Sequence, residues 1–386
     1  MSPRILIVSF TDIGRDPRAI KQVRAALEVG QVTTCSFGPS PHPDVEHIQL
    51  DPAGFYATGR LMQFLDTQAR EREAFAWSYR RIPYVRQAAA ALRGRTFDAA
   101  IANNADAARL VTGRVPRNAL HVDLHEYFPG LVFDDGTEEA HRQQRYLNWL
   151  HDRAVRGVSS TSVVSPLIAE QYRELGIDPT VVTNAGPSWE LAASPVSTPI
   201  RYVHSGNSQP GRGLRRTMRA IARAKRDVTL DLYLVPNDPL FHRGLVDLAA
   251  QLGDRITIHP AVPQAEIVPT LNQHDVGIFV LPPTTLNSKY VLPNKFFDFV
   301  QARLGVLTGP SPEMAGLVTR HQLGRVTSGF EEDDIVAAVE SFDASEVGAA
   351  KLASARAAAE LSGDSHHHFW VQTARRLLHE NERGTP

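Results

Sequence analysis

The sequence has little of several features that identify common protein classes. It contains a single cysteine, Cys35, which excludes structural disulfides and multi-cysteine zinc sites. No apolar run approaches the roughly 18–20 residues that a membrane-spanning helix needs. The 41 basic residues nearly cancel the 42 acidic ones, so the charge gives no sign of a general nucleic-acid binder. These absences predict a cytoplasmic protein with no nucleic-acid partner.

Sequence motifs of several enzyme classes are also missing. There is no G-x-G-x-x-G dinucleotide fingerprint, no G-x-x-x-x-G-K-[ST] phosphate loop and no G-x-S-x-G elbow. A D-x-D pair of acids, which would hold a divalent metal, is absent as well. A dinucleotide-dependent dehydrogenase, a P-loop enzyme and an α/β serine hydrolase therefore lose their main support.

What is present is an alternation of strands and helices over 386 residues, a length that suits two domains. Short apolar runs such as residues 4–10 and 97–102 read as buried strands, and helical patterns follow them. The alternation pauses in a polar, proline-bearing stretch near residues 186–199 and then restarts. We predict an α/β protein with two Rossmann-like, doubly wound parallel sheets, with a ligand bound in the cleft between the domains.

The predicted domain boundaries follow from this alternation. Residues 1–186 form an N-terminal domain and residues 187–360 a C-terminal domain. Residues 361–386 have helix-forming composition and are predicted to cross back to the first domain.

A glycine-rich segment, residues 206–213, lies between a predicted strand and a predicted helix. Such a turn exposes backbone N–H groups and a helix N-terminus, which favour a phosphate. Gly206, Asn207 and Arg212 are the candidate contacts. A tight turn with a solvated arginine is the alternative.

A second segment, residues 288–299, combines a proline with an amphipathic helix. Asn294 and Lys295 fall in its first turn and Asp298 one turn later. A lysine at a helix N-terminus opposes the helix dipole, so a bound phosphate or carboxylate would explain it. Only five of the 41 basic residues are lysines, and Lys289 lies six positions before Lys295. The alternative is a solvated lysine.

A third segment, residues 121–129, brings histidines and acids to a predicted strand end. His121, Asp123 and His125 share one face of an extended chain, and Glu126 points to the other. His125 and Glu126 suit hydrogen bonding to sugar hydroxyls or proton transfer. A metal site at His121, Asp123 and His125, and histidines that only pack or cap, are two alternatives.

Two further segments complete the candidates. The turn after the first strand, residues 12–18, contains Gly14 and Arg15 in the position of a phosphate-binding turn. Residues 51–81 are rich in aromatic side chains, and we expect an acceptor surface or peripheral membrane contact there, or else an ordinary packed helix pair. These aromatic residues are Phe55, Tyr56, Phe64, Phe75, Trp77 and Tyr79.

Taken in order, the segments resemble the GT-B glycosyltransferases, and specifically the retaining, nucleotide-sugar-dependent glycosyltransferase family four. The most specific part, residues 292–318, reads LPNKFFDFVQARLGVLTGPSPEMAGLV. It is similar to the family pattern P-N-K-L-F-E-Y-x-A-x-G-x-P-V, followed by P-E-M and an apolar pair. SSTSVVSPLIAEQYRELGI, VVTNAGP, VDLHEYFP and SGNSQPGRGL are supporting pieces. The resemblance covers nearly the whole chain.

The resemblance implies that the second domain binds a nucleotide diphosphate sugar and the first domain the acceptor. The family's arginine and lysine of the glycine-rich turn correspond here to Asn207 and Arg212. Lys295 and Lys289 are the implied replacements for the lost cation. The family's paired glutamates correspond to Tyr290 and Asp298, and Tyr290 cannot act as a carboxylate toward the sugar.

The resemblance also implies roles for the remaining candidates. His125 contacts the donor sugar or the reacting hydroxyl, with Glu126 as an alternate base. Glu313 and Met314 lie at a helix N-terminus near the sugar, while Gly14 and Arg15 close over the phosphates from the first domain. No cofactor and no metal are expected, because arginine, lysine and helix dipoles can stabilise the leaving diphosphate.

The predicted function is therefore transfer of a sugar from a UDP- or GDP-sugar to a hydroxyl with retention of configuration. Expected acceptors are a glycan, a lipid-linked molecule or a small molecule. A nucleotide-sugar epimerase or hydrolase of the same fold is one alternative. A non-catalytic binding or scaffold protein is another, suggested by Asn207 and Tyr290.

Overall fold

The computed structural model describes residues 2–52, 59–133, 135–158 and 160–383. It divides the chain into two compact units, which we call unit 1 (Met1–Val182 and Ser365–Pro386) and unit 2 (Thr183–Asp364). The sequence-based boundaries, after residues 186 and 360, lie close to these divisions. In the described part of the chain, no helix has both the length and the apolar character that a membrane crossing requires.

Unit 1 is built from alternating strands and helices. Its described strands are β1 (Arg4–Asp12), β2 (Gln31–Phe37), β3 (Glu46–Gln49), β4 (Ala99–Asn103), β5 (Leu120–Leu124), β6 (Ser160–Val163) and β7 (Thr180–Val181). Its helices before unit 2 are α1 (Pro17–Leu27), α2 (Arg60–Glu71), α3 (Phe75–Arg81), α4 (Pro83–Ala91), α5 (Asn104–Val111), α6 (Glu138–Ala154) and α7 (Pro166–Glu174).

Unit 2 repeats the alternation. Its described strands are β8 (Ile200–Asn207), β9 (Val228–Val235), β10 (Ile256–Pro260), β11 (Val276–Phe279), β12 (Gly305–Thr308) and β13 (Gly324–Val326). Its helices are α8 (Leu214–Arg223), α9 (Pro239–Leu252), α10 (Ile267–Leu271), α11 (Leu286–Tyr290), α12 (Asn294–Gln301), α13 (Pro312–His321), α14 (Glu332–Ser341) and α15 (Ala344–Ala357). Helix α16 (Asp364–Arg383) follows.

Each unit contains one parallel sheet whose strand order reverses once. The order is β3-β2-β1-β4-β5-β6-β7 in unit 1 and β10-β9-β8-β11-β12-β13 in unit 2. The reversal falls between β1 and β4 in the first sheet and between β8 and β11 in the second. We call these two places the switch points, since ligands of open parallel sheets bind there, at the carboxyl ends of the strands. The predicted pair of doubly wound sheets is confirmed.

Helix starts are encoded by a proline and a preceding capping residue. Pro17, Pro166 and Pro239 each occupy the first helical position, where a missing N–H costs nothing. The side chain of Asp16 accepts hydrogen bonds from the N–H groups of Arg18 and Ala19 at the start of α1. Ser165 and Asp238 cap α7 and α9 in the same way.

The central strands are largely apolar and buried because helices cover both faces of each sheet. In unit 1, Ile5 of β1 and Ile101 of β4 are completely buried and share a core with Val23 of α1. In unit 2 the buried residues form one cluster on each side of the sheet. Strands buried on both faces read as continuous apolar runs, which is why the sequence revealed them.

Helix α16 packs on unit 1, as predicted for the tail. Trp370 is 1% exposed, and its ring meets the imidazole of His121 edge-on at 5.4 Å between centroids. The Arg376 guanidinium donates to the Ser160 hydroxyl, and His367 Nε2 lies 2.6 Å from a Glu28 carboxylate oxygen.

The aromatic stretch of unit 1 is largely a packed helix pair. Phe75 and Tyr79 of α3 are buried, and the Phe75 ring lies 5.8 Å from that of Tyr146 in α6. The expected acceptor or membrane surface is therefore wrong for these two side chains. Phe64 of α2 is 60% exposed. Phe55 and Tyr56 lie outside the described residues.

Candidate functional site

The glycine-rich turn of unit 2 begins inside β8 rather than after it. Gly206 and Asn207 are the last two residues of that strand, and Asn207 is exposed at its end. Gly213 then caps α8 with a left-handed backbone (φ 74°). A Cβ at Gly213 would lie 2.5 Å from the Val280 carbonyl oxygen, so only glycine lets the turn run this close to the end of β11.

Lys295 extends from the first turn of α12 to the switch point of unit 2. Its Nζ lies 3.2 Å from Nε2 of His204, which is on β8. It also lies 4.2 Å from the centre of the Phe279 ring on β11. Helix α12 thus places a half-buried amine between the two strands that flank the switch point.

Gly206 provides the space for this amine. A Cβ at Gly206 would lie 2.7 Å from Lys295 Nζ, closer than two such atoms can approach. The Gly206 backbone also has φ 136°, a conformation that other residues rarely adopt. The glycine therefore lets Lys295 Nζ occupy this position, and an added Cβ would displace the amine.

The electrostatics at this point favour an anion. Burial and the nearby positive charge of Arg212 lower the pKa of Lys295 to about 7, and Asp298 only partly opposes this shift. When the Gln209 amide is oriented with its oxygen toward Arg212, that oxygen accepts from Nε and Nη2 at 3.1 Å each. Two cationic side chains from different elements therefore converge beside the glycine-rich turn.

Two other predicted residues of this region, Lys289 and Asn294, are exposed. Lys289 is exposed, and its Nζ lies 5.3 Å from the ring centre of Tyr290 in the same helix. The contacts of Lys289 in the described part of the chain do not bring it to Lys295. Asn294 is exposed in the first turn of α12, beside Lys295.

Glu313 and Met314 occupy the first turn of α13, as predicted. Glu313 is 8% exposed. Met314 is completely buried, and its sulfur accepts a hydrogen bond from the Thr308 hydroxyl at 3.7 Å. The Met314 side chain is thus part of the core of unit 2, and a donor contact by residue Met314 stays a prediction.

Unit 1 has a buried carboxylate at the carboxyl end of β5. Both oxygens of Asp123 accept from the Arg18 guanidinium, at 2.6 Å each. Gln22 Nε2 and the Ser162 hydroxyl also donate to this carboxylate, at 2.7 and 2.6 Å. Burial alone would raise the pKa of Asp123, but Arg18 and His125 hold it well below its usual range. The carboxylate is fully engaged within the protein.

His125 is positioned by this network. Its Nε2 lies 3.0 Å from Asp123 Oδ2 and 2.9 Å from Asn103 Oδ1. Both partners are acceptors, so Nε2 carries the hydrogen, and the lone pair of neutral His125 is on Nδ1. The imidazole is 17% exposed, and its backbone N–H donates to Asn104 Oδ1 at 2.8 Å. The arrangement presents a fixed proton acceptor at the strand end.

His121 belongs to the core, which supports the packing alternative for this histidine. Its Nδ1 and Nε2 lie 2.7 and 2.9 Å from the hydroxyls of Ser160 and Ser162. Burial lowers its pKa to about 4. Among the described residues, no group of three or more His, Cys, Asp or Glu side chains is arranged to hold a metal ion. His121, Asp123 and His125 therefore do not form a metal site in this structure.

The remaining predictions for unit 1 concern exposed or half-buried positions. Glu126 is half-buried, and its carbonyl oxygen accepts from the Tyr172 hydroxyl at 2.9 Å. Arg15 is 83% exposed and lies 3.6 Å from Asp12. A Cβ at Gly14 would lie 3.1 Å from the Pro39 side chain, so this turn packs against the loop after β2.

Two residues near these sites were missed by the sequence analysis. One is His204. The other is Asp106 in the first turn of α5, whose pKa burial raises to about 6, although the hydrogen bond from the Ala107 N–H opposes the shift. The available signal for Asp106 was an aspartate three positions after the end of a buried strand. For His204 there was none, because its partner is 91 positions away.

Comparison with known sequences gives no family. No family model matches the chain, and no curated protein matches it.

Comparison with solved structures does find the fold. Sucrose-phosphate synthase from Thermosynechococcus elongatus superposes with a TM-score of 0.71 at 13% identity, over 98% of this chain and 100% of that chain. A trehalose 6-phosphate synthase from Burkholderia multivorans gives 0.67 at 12% identity over the same shares. HepE of Anabaena, in complex with UDP and glucose, gives 0.67 at 16% identity, again over 98% and 100%.

These likenesses confirm the predicted fold. The chain has two doubly wound parallel sheets with a C-terminal helix on the first, and it shares the GT-B glycosyltransferase fold with these enzymes. At such identities the likeness does not distinguish family four within that fold, so family four stays a prediction.

Proposed function

We propose that the protein is a glycosyltransferase that moves a sugar from a UDP- or GDP-sugar to a hydroxyl group with retention of anomeric configuration. The GT-B fold supports the general reaction. The observation that carries the proposal is Lys295, a half-buried amine between β8 and β11 at the switch point of unit 2, next to Arg212 and a glycine-rich turn. Such a place suits a diphosphate.

The diphosphate is the leaving group of this reaction. As the bond between the anomeric carbon and the phosphate oxygen breaks, negative charge grows on the diphosphate. Arg212, Lys295 and the N–H groups at the start of α8 would stabilise that charge without rearranging. Asp298 can accept from the ribose hydroxyls, and Lys289, Tyr290, Asn294 and Glu313 remain proposed donor contacts.

Unit 1 contributes the candidate proton acceptor. Nδ1 of His125 can accept a hydrogen bond from a sugar or acceptor hydroxyl, because Asp123 and Asn103 hold Nε2. Asp106 is a second carboxyl that can exchange a proton near neutral pH. We keep Glu126 as an alternate base, and Gly14 and Arg15 as proposed phosphate contacts.

The cations of the protein can supply the charge that a metal ion provides in other transferases. We therefore propose that the reaction needs no added metal and no cofactor. Turnover should be unchanged when EDTA is added to the assay. A loss of turnover that Mg²⁺ or Mn²⁺ restores would contradict this part of the proposal.

The test is turnover of UDP-glucose and GDP-mannose with a panel of hydroxyl acceptors. UDP-sugars come first, because the HepE structure contains UDP and glucose. We expect a glycoside whose anomeric configuration, read by NMR, equals that of the donor. Donor consumption without a glycoside would indicate the hydrolase or epimerase, and binding without turnover the scaffold protein.

The matched variants are His125→Gln and His141→Gln. His125→Gln should lower turnover about 10²–10⁴-fold while diphosphate binding is preserved, because the proton acceptor is lost. His141, in α6, should tolerate the same change. Equal turnover of the His125 variant and the wild type would remove His125 from the mechanism.

A further inference from the structure

His204 lies on β8 directly beside the amine of the candidate diphosphate site. The imidazole is 2% exposed, and its Nδ1 lies 3.0 Å from the carbonyl oxygen of Ile278 on β11. A carbonyl oxygen can only accept, so Nδ1 carries the hydrogen and Nε2 presents its lone pair. The histidine thus spans the two strands at the switch point with its acceptor atom toward Lys295.

Lys295 donates to that lone pair across 3.2 Å. The Phe279 ring lies on another side of the amine, and Gly206 leaves the space that a Cβ would fill. No carboxylate among the described residues forms an ion pair with Lys295. The amine is therefore held by a neutral acceptor and an aromatic face.

The charged and titratable groups around the amine come from three elements. Arg212 faces it from the glycine-rich turn, Asp298 from its own helix and His204 from β8. Burial and Arg212 lower the pKa of Lys295 to about 7, against a smaller opposite effect of Asp298. Burial and Lys295 hold the pKa of His204 well below its usual range, so the imidazole stays neutral.

We propose that His204 is a positioning residue for Lys295, and that binding of a diphosphate is coupled to the uptake of one proton by the Lys295 amine. The proton comes from the solvent and forms an N–H bond on Nζ, and no other bond changes. This inference rests on the proposed function and deepens it, because it describes how the same site accepts the ligand's charge.

Proton uptake is expected because a bound diphosphate changes the charge around the Lys295 amine from positive to negative. Two negative charges beside the amine favour its protonated form and raise its pKa. Above pH 7 part of the unliganded protein has a neutral amine, so binding must take up a proton. Affinity should then fall with rising pH, by up to about tenfold per pH unit until the pKa of the bound state is reached.

The experiment is calorimetric titration of the full chain with UDP-glucose and GDP-mannose in pairs of buffers of different ionisation enthalpy. Nucleotide sugars are used because their phosphates have no proton that titrates in this range. We expect uptake of about one proton at pH 8 and close to none at pH 6. Binding at pH 8 without proton uptake would overturn the inference and leave the proposed function intact, whereas failure of both nucleotide sugars to bind would overturn both.

Variants of Lys295 and His204 test whether Lys295 takes up the proton and whether His204 positions the amine. Lys295→Arg has a permanent charge and should bind without proton uptake, so uptake that persists in this variant contradicts the inference. His204→Gln keeps an acceptor and should hold the affinity within about threefold of the wild type, while His204→Phe should weaken binding about tenfold. Equal affinities of these two His204 variants would contradict the positioning role. The Lys295→Arg result does not depend on whether His204→Phe folds.

Discussion

The two sheets of this protein differ in how they accommodate a buried charge near the carboxyl ends of their strands. In unit 1, Asp123 accepts from Arg18, Gln22 and Ser162 and contacts His125, so its charge is neutralised within the fold. In unit 2, Lys295 meets a neutral histidine and an aromatic ring. The first arrangement holds a side chain in place. The second leaves positive charge for something that the protein does not itself contain.

A lysine within unit 2 shows that the fold can neutralise such a group when structure alone requires it. Lys351 of α15 is 1% exposed, and its Nζ lies 3.0 Å from the Asp275 carboxylate. It also donates to the carbonyl oxygen of His274 and the hydroxyl of Ser194, at 2.7 and 2.9 Å. The different surroundings of Lys295 are therefore the feature that points to a ligand.

The largest expected loss of stability follows from the removal of Arg18. Arg18→Met leaves the buried Asp123 carboxylate without its cation, and we expect the free energy of unfolding to fall by about 3–5 kcal/mol. Arg15→Met, in the exposed turn beside it, should change the free energy by less than about 0.5 kcal/mol. Denaturant unfolding measures both. Equal values for the two variants would show that the Asp123 network does not stabilise unit 1.

The second test compares the same substitution at two lysines of unit 2, the buried Lys351 and the half-buried Lys295. Lys351→Met should lower the free energy of unfolding by about 3 kcal/mol, because Asp275 is then buried without its partner. Lys295→Met should cause no loss, since a partly buried amine without a carboxylate partner is replaced by an apolar side chain of similar length. A comparable loss in both variants would make Lys295 a structural residue.

The acid sensitivity of the Asp123 network is a third test. The pKa of Asp123 is held well below the usual range in the folded chain. The contribution of the Asp123 carboxylate to stability is therefore present above the ordinary aspartate pKa of about 4, and it is lost progressively as the pH falls below that value. Unfolding of the wild type and of Arg18→Met should therefore converge in acid. If the difference between them stayed constant from pH 7 to pH 3, the network would not be the cause.

The smallest expected effect is the loss of affinity caused by a substitution in the glycine-rich turn of unit 2. Gly206→Ala brings a Cβ to within 2.7 Å of Lys295 Nζ, and UDP-sugar affinity should fall about tenfold as the amine is displaced. Gly211→Ala is the matched control, because its φ is also positive (83°) but no atom lies within 4 Å of the added Cβ. Both changes strain the backbone by about 1 kcal/mol, so calorimetry should separate them by affinity and not by stability.

Local rules predicted most of the fold from the sequence. The strand that begins near Arg4, the helix from Pro17 and the helix after Pro293 were all found, because apolar runs, prolines and caps mark them. Other elements were not predicted. Strand β13 has only three residues at a sheet edge, too few for a strand pattern. Helix α6 is highly polar, and its few apolar residues were not recognised as one face of a helix.

The candidate site was predicted only as far as single residues. Lys295, Arg212 and His125 were named from their positions at strand ends and helix starts. Their partners could not be, since Arg18 lies 105 positions from Asp123 and His204 lies 91 from Lys295. Such pairs exist only after the sheets assemble, and a single sequence contains no signal for them.

The most direct test of the account is the affinity of UDP and GDP for the wild type, Lys295→Met and Lys289→Met, measured by calorimetric titration. Lys289 is an exposed lysine six positions from Lys295 and itself a proposed donor contact, so Lys289→Met measures how much the loss of one exposed positive charge weakens binding. We predict that at least one nucleotide binds the wild type, that Lys295→Met weakens it more than tenfold and that Lys289→Met weakens it by less. Equal affinity of the wild type and Lys295→Met, or no binding of either nucleotide, would contradict the assignment of the diphosphate site.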